Sequence, residues 1–479
     1  MHMADALLTP AVAGVMYAAS AVVAGASIVE LHKEEKQDLT SAAKKLPTMA
    51  VMSALVFAGQ MINYTIPGTG SSGHLCGGLL LTSVLGPWAG FLSMIVILTI
   101  QCLFFADGGL LALGANVWNM AFYGCFVGYF LIYRPLMRSR CFARRGERAA
   151  NRLKITLASV LGCVLTLQLG AFSVVLETTL SGITALSLGA FAALMQPIHL
   201  AIGLVEGLIT AAVLLFVYQT RPELLQGAAG TGAKNRCSRK AALAILAAAA
   251  LVIGGGLSLL ASSSPDGLEW SLFPVAGYQL AGLPMRLCFQ KLRMVLPLVC
   301  AVGLLNPLFD RQIMVQVGTL AVSGGVLSML TLILKGVFCL LASFLLMATT
   351  TIEAICRALR QLHVPKLLTN LLLLTFRYVG LLLSEVAVMQ QAYSLRAPGQ
   401  KGIHISAWGS FLGQLLLRSM DRAQALYESM ELRGFSGEFP GAVRGRGSAA
   451  AWPYALVCPA LMLLARYFDL SALMGGLFV

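Results

Sequence analysis

Charge is what this sequence has least of. Only 11% of its 479 residues are Asp, Glu, Lys or Arg, while 58% are hydrophobic, against about 25% charged in a soluble domain. With a mean hydropathy of +0.81, a large water-soluble domain is excluded. No Lys or Arg occurs in residues 1–32, so the basic leader of a cleaved secretory signal is missing, and the expectation is that Met1 is the mature terminus. No CxxC pair occurs among the eleven cysteines. They stand singly, mostly in apolar runs where Cys behaves as a small hydrophobe, so neither disulfides nor a thiolate metal site is expected. A phosphate-binding loop is lacking too. GAAGTGAK at 227–234 is glycine-rich, but Ala233 separates Gly232 from Lys234, and Asn235 stands where Ser or Thr is needed. The chain carries no recognisable ATPase.

What is present is a series of apolar stretches, each near the roughly 20 residues that cross a bilayer. Roughly twelve or thirteen can be counted, which predicts an all-α, polytopic integral membrane protein of two helical domains. The net charge of +14 raises nucleic acid as a partner, but its placement argues against one. Lys33, Lys36, Lys44 and Lys45 form one cluster. Arg134, Arg138, Arg140, Arg144, Arg145, Arg148, Arg152 and Lys154 form a second, and Arg221, Lys234, Arg236, Arg239 and Lys240 a third. Even numbers of spans separate them, which marks the cytoplasmic side. Spans at about 11–29, 48–64, 75–87, 89–105, 112–133, 155–177 and 188–218 then give seven crossings, with the amino terminus outside and all three clusters inside. A cell (inner) membrane location and lipid as surroundings follow.

Residues 219–240 form a Gly-, Ala- and basic-rich linker. A further span at about 241–261 leads to ASSSPDGLEW (Ala261–Trp270), and later spans fall at about 293–309, within 314–350 and at about 452–467. The second half also has long amphipathic segments with regularly placed arginines, at 353–362, 377–396 and 408–434. The expected division is 1–220, 221–285 and 286–479.

Six histidines are present. His32, His363 and His404 sit in polar flanks. His199, in QPIHLAIGLVEGLIT, lies within a span with Glu206 seven positions on, on the same helix face; a functional role and a hydrogen-bonded packing role are both open. His2 and His74 are different. A terminal amine, the deprotonatable amide nitrogen of residue 2 and its imidazole form two fused chelate rings. One more nitrogen completes a square plane, suited to nickel(II) or copper(II). His74 lies in PGTGSSGHLCGG (Pro67–Gly78), a Gly/Ser-rich break between spans. Non-helical backbone at membrane depth needs protein or a cavity around it, so this predicts a re-entrant loop able to bring His74 to Met1. Spacing alone leaves open that His2 is a terminal accident and His74 an ordinary loop residue. Removal of Met1 needs a small second residue, so His2 should preserve it.

MHMADALLTP, PGTGSSGHLCGG, LLTSVLGPWAG and FFADGGLLALGANVWNM together resemble the cobalt/nickel substrate-binding membrane component of energy-coupling factor transporters, the CbiM/NikM family. The resemblance covers about 1–220. It implies a metal held by the amine of Met1, the main-chain nitrogen and imidazole of His2, and His74. It also casts Asp107, Gly108, Gly109, Asn116 and Asn119 as residues that orient the ligands, with Cys76 packing in the same loop. SSSPDGLEW resembles the signature of the small accessory domain of such systems, here shortened, with about fifteen residues between Trp270 and Arg286.

From about Arg286 the chain resembles the transmembrane coupling component, the CbiQ family, through LRMVLPLVCAVGLLNPLFDR, LLMATTTIEAICRALRQLHVPKLL, LLTFRYVGLLLSEVAVMQQAYSLRAPG and RSMDRAQALYESMELRGFSG. That resemblance implies two cytoplasmic coupling helices whose arginines, here Arg396 and Arg433, dock on CbiO/NikO-like ATPase subunits. Arg396 departs from the Ala-Arg-Gly-like pattern, with Leu395 before it and Ala397 after it. Arg suits such a contact because its donor fork holds a carboxylate bidentately. Without the resemblance both would read as surface charges. The implied function is ATP-driven uptake of cobalt(II) or nickel(II) as cargo, with no resident cofactor, no nucleic-acid partner and no catalysis by this chain. Two rivals from other classes are a secondary metal permease, which needs paired ionisable residues within several spans, and a membrane metal sensor.

Overall fold

The structure, a computed structural model, describes residues 1–226 apart from 38–40, 62, 67–70, 106, 140–146 and 185. It also describes 350–435 apart from 401, 405 and 406, two paired strands at 313–317 and 320–323, and a few single positions up to 348. The spans expected at 241–261, 293–309 and 452–467, and the SSSPDGLEW segment, lie outside the described residues.

The protein is an all-α polytopic membrane protein. Its amino-terminal half contains α1 (Pro10–Gln37), α2 (Ser41–Gln60), α3 (Gly78–Leu85) and α4 (Pro87–Phe105). They are followed by α5 (Leu113–Arg138), α6 (Glu147–Leu180) and α7 (Leu188–Thr220). The later half contributes α8 (Ile352–Gln361), α9 (Lys366–Arg396) and α10 (Trp408–Leu432). Among the described residues six helices are long and apolar enough to cross a membrane. Their outer faces are apolar. Leu200, Leu204 and Leu208 of α7, four residues apart, are all exposed, while His199 and Glu206 on the other faces are buried. This is the reverse of a soluble helix and leaves the leucine stripe for lipid.

Close helix approach fixes where those buried groups sit. A Cβ on Gly203 or Gly207 would lie 2.9 or 2.6 Å from the Cα of Val164 or Val160 in α6. Only a residue without a side chain lets two backbones meet this closely. The pair locks α7 against α6 and turns Glu206 inward.

Two stretches differ from the sequence expectation. The span predicted at 75–87 contains a helix of only eight residues, α3, about 12 Å long. The chain covers the remaining depth extended. Strands β2 (Asn63–Ile66) and β3 (Ser71–His74) form an antiparallel hairpin, and residues 75–77 continue from it into α3. Cys76 and Gly77 bond to Glu206 in the middle of α7, whereas Ser83 accepts from the main-chain N–H of Gln226, beyond the end of α7. Glu206 and Thr220 are about 21 Å apart along that helix. The short helix therefore finishes a descent that the hairpin begins. In addition, Ile313–Val317 and Leu320–Ser323 pair as an antiparallel hairpin where the start of a helix was expected. The β-branched Ile313, Val315 and Val317 alternate there, as a strand favours.

The later half leans on the earlier one. α9 packs on α2 and α4, with the Phe104 and Phe376 rings 5.0 Å apart, and α10 packs on α2 and α7. Gly413 of α10 meets Phe216 of α7: a Cβ there would come within 2.2 Å of the ring. Arg221, directly after α7, pairs with Asp421 of α10 at 2.8 Å.

Candidate metal centre

The amino terminus is threaded into the protein. His2 and Met3 form a two-residue strand, β1, antiparallel to β3, with His2 opposite Ser72 and Met3 opposite Ser71. Asn116 clamps the main chain of Met3 from both sides: its Oδ1 accepts from the Met3 N–H at 2.8 Å, and its Nδ2 donates to the Met3 carbonyl at 3.2 Å. The N–H of Gly109 donates to that same carbonyl at 3.0 Å. Asp5 accepts from the N–H of Ala112 at 3.0 Å, tying the next turn to the same loop. Met1, His2 and Met3 are at most 3% exposed, so the frayed end usual for a terminus is absent.

This threading brings His2 against His74. Their rings lie edge to face with centroids 4.9 Å apart. Nδ1 of His74 donates to the Leu75 carbonyl at 2.7 Å, which leaves Nε2 with its lone pair. That Nε2 and both ring nitrogens of His2 are buried without a hydrogen bond; the nearest acid to His2 is Asp107, 3.6 Å from Nδ1. Buried polar atoms are nearly always satisfied, so imidazole nitrogens without a hydrogen bond in two adjoining rings mark a place where a ligand belongs. Burial favours the uncharged, lone-pair form. It pushes the His2 imidazole down to about 3 and the Met1 amine to about 5, against the opposing pull of Asp107 on the amine. No group of three or more His, Cys, Asp or Glu side chains converges among the described residues. A site here would have to draw on main-chain nitrogen, which the chelate of residues 1 and 2 provides.

The loop residues named from sequence surround these groups. Gly108 has φ +82°, and a Cβ on it would sit 2.5 Å from Nδ1 of His2 and 2.9 Å from Nδ2 of Asn116. On Gly109 a Cβ would collide with Asp5. Asn119 donates to Glu177 at 2.8 Å and touches the Met3 sulfur at 3.8 Å. Cys76 packs inside, its thiol 3.1 Å from the Met120 carbonyl.

Two residues have contacts that sequence reasoning did not assign, and a third is buried. Glu206 accepts from the N–H groups of Cys76 and Gly77 at 2.6 and 2.9 Å, so it anchors the loop that carries His74. His199, open between packing and function in the sequence, lies with Nε2 3.3 Å from the Met1 amine. Gln101 is fully buried with neither side-chain polar atom bonded; the signal for it was a lone amide in the apolar run ILTIQCLFF.

Comparison with known proteins supplies the family. The model of the cobalt uptake substrate-specific transmembrane region (CbiM) matches residues 2–224, and that of the cobalt transport protein (CbiQ) matches residues 247–442. A fused nickel transport protein NikMN of Archaeoglobus fulgidus is 40% identical over 52% of this chain and 73% of its own length. The chain belongs to the CbiM family. A metal transport protein of Haloquadratum walsbyi is 34% identical over 47% of this chain and 93% of its own. The cobalt transport protein CbiM of Sorangium cellulosum is 32% identical over 37% and 76%. The chain is thus a membrane component of cobalt/nickel transport, a transporter and not an enzyme.

In the CbiQ region the two arginines singled out from sequence both sit at helix ends. Arg396 closes α9 and Arg433 caps α10. Both are exposed, each directly after a bare leucine: Leu395 is 76% and Leu432 90% exposed. By contrast, Arg418 and Arg422 of the same CbiQ region are held by the buried Glu385 at 3.1 and 2.7 Å.

Proposed function

We propose that this chain captures nickel(II) or cobalt(II) from outside the cell membrane and passes it inward as the membrane subunit of an ATP-driven importer. The metal is held in a plane of four nitrogens: the Met1 amine, the main-chain nitrogen and imidazole of His2, and Nε2 of His74. The observation that carries the reading is the meeting of a buried amino terminus with imidazole nitrogens that make no hydrogen bond. Asp107, Gly108, Gly109, Asn116 and Asn119 hold that terminus in register. Residues 1–220 are the metal-binding domain, 221–285 a linker with an accessory segment, and 286–479 the coupling domain. Arg396 and Arg433 dock on a separate CbiO/NikO-like ATPase, whose closure reorients the binding domain. Charge distribution supports an outside amino terminus, since every basic cluster then falls on the cytoplasmic side. The same four nitrogens serve either metal.

The test is metal content of the purified protein against His74→Ala. Loss of an outer-shell partner alone costs about 10–100-fold in affinity, so removing a ligand should cost at least that. Unchanged affinity removes His74 from the site.

A further inference from the structure

His199 lies in the first half of α7, fully buried, with both ring nitrogens facing a defined neighbour. Nδ1 is 2.8 Å from the Met195 carbonyl. A carbonyl only accepts, so Nδ1 carries the ring hydrogen and Nε2 keeps its lone pair. That lone pair faces the Met1 amine at 3.3 Å, so in this pair the amine donates. An amine bound to a metal gives its own lone pair to the ion and still has N–H groups to place. In a buried site such a donor needs an acceptor, and His199 offers one from a helix locked to α6. The methionine side chain is held as well: a Cβ on Gly170 of α6 would lie 2.5 Å from its sulfur.

We propose that His199 is a positioning residue whose Nε2 accepts a hydrogen from the Met1 amine and aims that nitrogen's lone pair toward the imidazoles of His2 and His74. The proposal rests on the nitrogen site above and deepens it. Two turns further along the same helix, Glu206 holds the main chain of Cys76 and Gly77. α7 therefore sets the amine and the His74 loop relative to each other, although the two belong to segments about seventy residues apart.

The experiment titrates nickel(II) into the purified full chain as native protein, His199→Leu, His199→Gln and His74→Ala. Leu fills similar space without an acceptor, whereas Gln brings a carbonyl oxygen. His199→Leu should weaken nickel binding by about 10–100-fold, as loss of a ligand-orienting partner does, and His199→Gln should recover most of it. The absorption of the nickel-saturated complex should be the same in native and His199→Leu protein, because the four donors are unchanged. Native affinity in His199→Leu overturns the proposal, and so does a Gln variant no better than Leu, which would make His199 a packing residue. A shifted absorption also overturns it, by making His199 a ligand. If His199→Leu fails to fold, His199→Gln decides alone: near-native affinity supports the proposal and a full loss overturns it. Should His74→Ala bind as the native protein does, the nitrogen site itself fails and this inference with it. Loss in His74→Ala with native affinity in His199→Leu removes only His199.

Discussion

Gly108→Ala perturbs the candidate site without replacing any donor atom. At φ +82° an L-residue pays roughly 1–2 kcal/mol of backbone strain. The added methyl would also lie 2.5 Å from Nδ1 of His2, whereas unstrained contacts sit at about 3.5–4.0 Å. The imidazole must retreat by about 1 Å, and the methyl would also crowd Nδ2 of Asn116 at 2.9 Å. Metal–ligand distances tolerate only about 0.2 Å, so the His2 donor leaves the plane. We expect a loss of about 100-fold in nickel affinity, equal to roughly 2.8 kcal/mol, measured by calorimetric titration of the purified protein. Gly86→Ala is the control. Its φ is +88° with nothing within 4 Å of the added methyl, so it pays the backbone cost alone and should bind nickel normally. Native affinity in Gly108→Ala, or equal losses in the two variants, would refute the placement of His2 at the metal.

Glu206→Gln keeps one acceptor but turns an NH2 group toward the second main-chain N–H. Losing one charge-assisted bond costs about 1.5–3 kcal/mol, so thermal melting should fall and nickel affinity should weaken about tenfold or more; unchanged melting and binding would show that the His74 loop does not depend on this anchor. The double variant Arg396→Ala with Arg433→Ala should lose co-purification of the ATPase while its bound metal stays at the native level; undiminished co-purification would end the coupling claim.

Much of this architecture is legible in the sequence, because lipid imposes simple rules. Apolar length gives helices. The family is legible in MHMADALLTP, PGTGSSGHLCGG and FFADGGLLALGANVWNM, and the terminus does lie against the loop that carries His74. The short α3 is not legible. LCGGLLLTSVLG is uncharged throughout, and hydropathy does not distinguish an extended descent from a helix when both are buried. Glu206 reads from sequence as an embedded ionisable group and hence as a relay candidate. Its actual partners are the N–H groups of Cys76 and Gly77, about 130 residues earlier, freed because that stretch is not helical. His199 is ambiguous for a similar reason: its neighbour is the chain's own terminal amine, which no spacing rule on α7 reveals.

The most direct test of the nitrogen site is bound nickel and cobalt in purified protein, native against a version with two alanines inserted before Met1. A single one would place the histidine third and build a new chelate from the amine, two amides and the imidazole. Every side chain stays, but the amine moves out of chelating register with His2. The account predicts that bound metal collapses in the extended protein. Metal retained at the native level would contradict it and make the threaded terminus a structural plug.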